Sequence, residues 1–86
     1  MYTQQNISQP VSGISHPLVA DIYLKKDLIN KHNNVLVIEA RNNENFNDHE
    51  EYDSYLIDLL VDLEDLKNKA QQKVGSFDRI DIRTAH

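Results

Sequence analysis

Apolar residues recur every three or four positions through the second half of the chain: Tyr52, Leu56, Leu59, Leu63, Leu66, Ala70 and Val74. That spacing places them on one face of an α-helix. Tyr55 and Leu60 widen this into a core-facing face. At ~100° per residue, Ile57 and Val61 fall outside it. The middle of the helix is therefore apolar on two sides, one for a sheet and the other for a second helix or subunit. Asn47 or Asp48 supplies an N-cap, with Glu50 or Glu51 three residues on. Acids crowd the first turns, Lys67, Lys69 and Lys73 sit near the end, and Gly75 follows at the stop. The predicted helix covers about residues 48–74.

Three other segments carry weaker patterns. Ser15-His16-Pro17 reads as a helix start, and Leu18, Ile22 and Ile29 lie near one face of a helix predicted over 17–31. Asp21 with Lys25, and Asp27 with Lys31, are acid-before-base pairs four apart that support it. Val35 to Ala40 is a continuous apolar run of strand length, predicted to be central in its sheet. After Gly75, Ile80 and Ile82 alternate with Arg79, Asp81 and Arg83, which predicts an edge strand with one wet face. Phe77 is out of phase and is expected to plug the helix–strand junction. Residues 1–15 are polar and read as a flexible or partner-wrapping arm, leaving 16–86 as a single domain.

The predicted fold is a small α+β domain in the order α-β-α-β. Strand, long helix and strand suit a crossover between parallel strands. Two strands make a poor sheet alone. The helix, at about 40 Å, also exceeds the radius of gyration of so small a domain. Both points predict a homodimer that completes the sheet, with Tyr52, Leu56, Leu59, Leu63 and Leu66 as its interface.

Composition narrows the chemistry. The 86 residues carry a formal net charge of −5 and no cysteine, which excludes disulfides and zinc–thiolate sites. From Glu39 to Asp65 the only Lys or Arg is Arg41. The chain is thus bipolar, with an acidic middle and basic flanks. The first residues, MYTQQNISQPVSGIS, lack the basic and apolar regions of a secretory signal, and the apolar runs are too short to span a bilayer. A cytoplasmic protein with no membrane partner is the expectation.

No catalytic pattern stands out. His49 and Asp53 are four apart, but the second histidine of a zinc helix is missing and no third ligand is evident. Two glycines cannot build a phosphate loop. Serines and histidines are scattered, and the acidic balance disfavours direct nucleic-acid binding. The expectation is a protein that is not an enzyme and uses no metal or cofactor. Glu51, Asp58, Asp62 and Asp65 share one helix face, interrupted by Lys69. Neighbours three or four apart lie ~5–6 Å from each other, similar to successive phosphates of a nucleic-acid strand. They predict a binding surface for a basic protein partner, as in a small viral or mobile-element inhibitor that occupies a host nucleic-acid-binding surface. The alternative is an assembly subunit built through the long helix and the arm.

Overall fold

The computed structural model describes residues 6–30 and 33–84. Four strands form one sheet in the order β1-β2-β3-β4, with one long helix between the last two. The strands are β1 (Asn6–Pro10), β2 (Val19–Asp27), β3 (Val35–Ala40) and β4 (Arg79–Thr84), and the helix is α1 (His49–Val74). β1, β2 and β3 form an antiparallel meander, and β4 runs parallel to β3 after the α1 crossover. The class is α+β, as expected, but the sheet has twice the predicted strands.

The long helix forms where its pattern places it. Asp48 is the N-cap, and its side chain accepts from the Glu51 N–H at 2.7 Å. Gly75 closes the other end, its N–H bonded to the Gln71 carbonyl at 2.9 Å. Gly75 has φ 84° and ψ −158°, a region essentially confined to glycine. A Cβ built there would meet nothing within 4 Å. Gly75→Ala therefore tests backbone strain alone, and urea unfolding is expected to show a loss of about 1–3 kcal/mol. A neutral result would mean that the junction relaxes freely.

α1 lies on one face of the sheet. Leu59, Leu66 and Ala70 pack into a cluster with Ile22, Leu24, Leu36, Ile38 and Ala40, and Tyr52, Tyr55, Leu56, Leu63 and Val74 border it. Phe46, just before the helix, sets its ring 5.4 Å from Tyr52 and 5.5 Å from Tyr55. Such edge-on and tilted ring pairs add to simple area burial. Phe77 also packs at the border of the core, as expected. Leu60 does not join the core-facing side: it is exposed, together with Ile57 and Val61. A single helix on a single sheet face covers only one stripe, and Leu60 falls just beyond it.

Where the spacing predicts a helix over 17–31, residues 17–30 form β2 and its turns, and Lys31 lies outside the described residues. The reason is a β-bulge. Val19 pairs with Ala40 and Asp21 with Glu39, so Ala20 is an extra residue on the β2 side. The bulge lets Val19 and Ile22, three apart, both join the helix-side core. That step of three reads as helical, whereas Ile22 to Leu24 already keeps the strand step of two. Ile29, part of the predicted helical pattern, lies past the strand in a turn with Leu28, and both are exposed. There the Asp27 Oδ1 accepts from the Ile29 and Asn30 N–H groups, a turn-forming use of Asp. Pro17 starts no helix. The Val19 N–H bonds back to the His16 carbonyl at 3.0 Å, and Leu18 drops fully into the core.

The arm is also partly strand. Residues 6–10 pair with β2 as its outer neighbour, and the ladder extends through the Val11 N–H to the Ile22 carbonyl. Of the rest of the predicted arm, Val11 is buried and Ile14 packs against the core, while residues 1–5 lie outside the described residues. β1 has no apolar alternation to announce it: it is an edge strand whose one large apolar residue, Ile7, is exposed.

Candidate functional site

With α1 on one face, the other face of the sheet is uncovered among the described residues. Strand alternation decides what it carries. β2 contributes Asp21, Tyr23 and Lys25, β3 contributes Val35, Val37 and Glu39, and β4 contributes Arg79, Asp81 and Arg83. Val37 is fully buried yet stands apart from the helix-side cluster. It forms the apolar floor of this face, flanked in register by Tyr23 and Asp81.

Two acidic residues stand in register at the bulge. Asp21 of β2 stands directly opposite Glu39 of β3. Like charges in that position destabilise a sheet, so the pairing is unfavourable by itself. Bulges are over-represented beside active sites, where they redirect a side chain or end a pairing. Here the bulge sets the register that brings the two acids opposite each other. The Tyr23 hydroxyl donates to Glu39 Oε1 at 3.0 Å and fixes that carboxylate. Beside them a groove of about 380 Å³ is lined by Ser8, Pro10, Asp21, Tyr23 and Lys25.

Tyr23 senses this environment. Burial raises its hydroxyl pKa above 10.0, and the hydrogen bond and charge of Glu39 raise it further. The protonated, donating form is thus favoured in the fold. Its stabilising contribution is complete below the unfolded value near 10 and is lost as pH rises through the higher folded value. A tyrosinate absorbance titration is expected to show Tyr23 ionising after a free tyrosine, with Glu39→Gln lowering its midpoint. No change in that variant would mean that Glu39 does not govern the hydroxyl.

Cations line the same face. Asp81 is bracketed by Arg79 at 3.5 Å and Arg83 at 3.8 Å, and Arg83 is also in register with Glu39. Arg41 follows Glu39 by two residues and is exposed; its N–H bonds the Leu18 carbonyl. The net acidity of the chain is concentrated elsewhere, on the helix.

The residues singled out from sequence lie on α1. Asp58, Asp62 and Asp65 are exposed and Glu51 is half-buried. Asp62 faces the nearly buried His16 ring, with Nε2 at 3.3 Å, and Asp65 pairs with Lys69 at 2.9 Å. His16 Nδ1 accepts from the Leu18 N–H, so the ring bridges the β1–β2 connection to the helix. Of the expected interface residues, Leu59 and Leu66 are buried on the chain's own sheet, and Tyr52, Leu56 and Leu63 border the same core. That seam is consumed within the chain. His49 and Asp53 belong to no metal-binding group: among the described residues no three His, Cys, Asp or Glu side chains converge.

Sequence reasoning passed over Asp21 and Glu39. Helical spacing reads Asp21 as an ion-pair partner of Lys25, and the apolar run places Glu39 within a buried strand. The available signal was the alternation D-I-Y-L-K from Asp21 to Lys25, which is a strand pattern with one wet face. No protein-family model, curated protein or solved structure matches this chain. No helix among the described residues is long and apolar enough to cross a membrane.

Proposed function

We propose that the uncovered sheet face binds a phosphate ester of a nucleic-acid strand through a divalent cation held by Asp21 and Glu39. The reaction class this supports is hydrolysis of the phosphodiester. The observation that carries the reading is the in-register carboxylate pair at the bulge. A cation held by the two acids would offset the repulsion that their register imposes.

The donor set fits a hard ion such as Mg²⁺. That ion takes one or two protein carboxylates and keeps its remaining positions for water and substrate phosphate. When bound, such an ion polarises a phosphoryl oxygen and acidifies a water. The chain's own groups do the rest. Tyr23 holds Glu39 in orientation. With a cation neutralising Asp21 and Glu39, Lys25, Arg79 and Arg83 along the same face would outweigh Asp81 and attract an extended anion. The groove beside Asp21 is open, which suits a strand passing over the surface better than an enclosed small molecule.

The test is cleavage of end-labelled DNA and RNA oligonucleotides with Mg²⁺, Mn²⁺ or a chelator. Cleavage that needs the metal and disappears in both Asp21→Asn and Glu39→Gln is expected. Folded wild-type protein with neither metal-dependent binding nor cleavage would overturn the reading.

A second reading follows the charge of the helix. Asp58, Asp62 and Asp65 are exposed on one flank, in keeping with an acidic protein that occupies a basic surface of a protein partner without being an enzyme. Charge reversal at these three positions would abolish such binding and leave the helix intact. The alternative of a homo-oligomeric assembly subunit requires a surface other than the buried Leu59 seam.

A further inference from the structure

We infer that the outward face of α1 docks a basic amphipathic helix of a partner protein. Ile57, Leu60 and Val61 are 61%, 58% and 74% exposed. Their spacing puts them side by side on the helix surface, turned away from the sheet. The core does not need them, since the opposite stripe already fills it. Three adjacent large aliphatic side chains at this exposure form a contiguous patch, unlike the single exposed residues found on most surfaces.

The rim decides the partner. Glu50, Asp53 and Asp58 surround the patch, all exposed, and none makes an ion pair among the described residues. Glu64, also on this face, is held only loosely by Lys67 at 3.9 Å. An apolar centre within an acidic rim complements an apolar stripe flanked by Lys or Arg. It repels anionic lipid and nucleic acid. A second copy fits poorly, because pairing two such faces brings the same acids together with Lys67 as the cation on that side. A helix is the natural occupant, because ridges of side chains three and four apart interlock with those of α1. The surface is separate from the carboxylate pair, so neither proposal depends on the other.

The probe is a fluorescently labelled synthetic helix of leucine and lysine in an amphipathic pattern, with a leucine–glutamate helix as control. Anisotropy is expected to show binding of the leucine–lysine helix only. The double variant Ile57→Ser/Val61→Ser should weaken it at least tenfold, while Glu44→Gln, an exposed acid outside α1, leaves it within twofold. Circular dichroism checks that both variants remain helical, as their exposure predicts. Equal binding by the serine variant would reduce the effect to net charge and overturn the proposal. So would equal binding of the control helix, or no binding at all. Sedimentation of the free protein tests the other occupant: a dimer that the serine variant dissolves would assign the face to a second copy and also overturn it.

Discussion

Replacing Leu59 with alanine is expected to destabilise the chain by about 2–5 kcal/mol, whereas Leu60→Ala, one residue on, should change stability by less than about 0.5 kcal/mol. The two leucines are chemically identical and share one helix. Leu59 is wholly buried among sheet residues that include Leu24, Leu36 and Ile38, while Leu60 is 58% exposed. Truncating Leu59 removes buried methyl groups and leaves a cavity that the rigid sheet closes only in part. Truncating Leu60 removes contacts with water, and alanine is at least as good a helix former. At about 0.05–0.15 kcal/mol per residue, the larger loss is a major fraction of the whole stability. Urea unfolding of both variants checks this, with midpoints shifting and slopes unchanged. Similar midpoints would mean that α1 is rotated about its axis relative to the sheet.

Glu39→Gln is expected to have opposite effects with and without divalent cation. Without metal, it removes a like charge directly opposite Asp21, a cross-strand term of about 0.2–1 kcal/mol. The amide oxygen still accepts from the Tyr23 hydroxyl, so the fold keeps that bond. The variant should therefore match or exceed the wild type in a chelator. With a cation at a hundredfold its dissociation constant, the wild type gains about 2.7 kcal/mol by mass action. The variant, left with one carboxylate, should gain far less. Thermal melts of both proteins in chelator and in millimolar Mg²⁺ or Mn²⁺ give the answer as a crossing of the two orders. If the wild-type melt ignores the metal, Asp21 and Glu39 do not form a cation site. Asp21→Asn should behave in the same way, since the pair acts together.

The helix and the flanking strands β3 and β4 were legible residue by residue. Their signals are local: a step of three and four from Tyr52 to Val74, an apolar run from Val35 to Ala40, and the alternation around Ile80 and Ile82. The caps at Asp48 and Gly75 are local too, because they satisfy backbone groups within one turn. The parallel β3–β4 pairing followed from chain order, since a long helix between two strands returns the chain to the same end of the sheet.

β2 was misread because periodicity assumes an uninterrupted element. Ala20 shifts the phase, and only the partner strand reveals that it is extra. β1 was illegible for a different reason. Its place depends on the free edge of β2, and its own residues carry almost no apolar pattern. With both strands missing, the sheet looked incomplete, and completion by a second subunit became the expectation. The four-stranded sheet within the chain removes that reason for a dimer.

By itself, then, the sequence determined the long helix, which of its faces is apolar, both its ends, and the acidic character of what it shows to solvent. Those properties depend on residues within a few positions of one another. Only the tertiary structure decided that the Leu59 stripe packs on the chain's own sheet and that Leu60 lies outside it with Ile57 and Val61. It also decided that Asp21 and Glu39, 18 positions apart, stand opposite each other. Strand register is set by pairing and by one extra residue, and neither is written in the spacing of either acid alone.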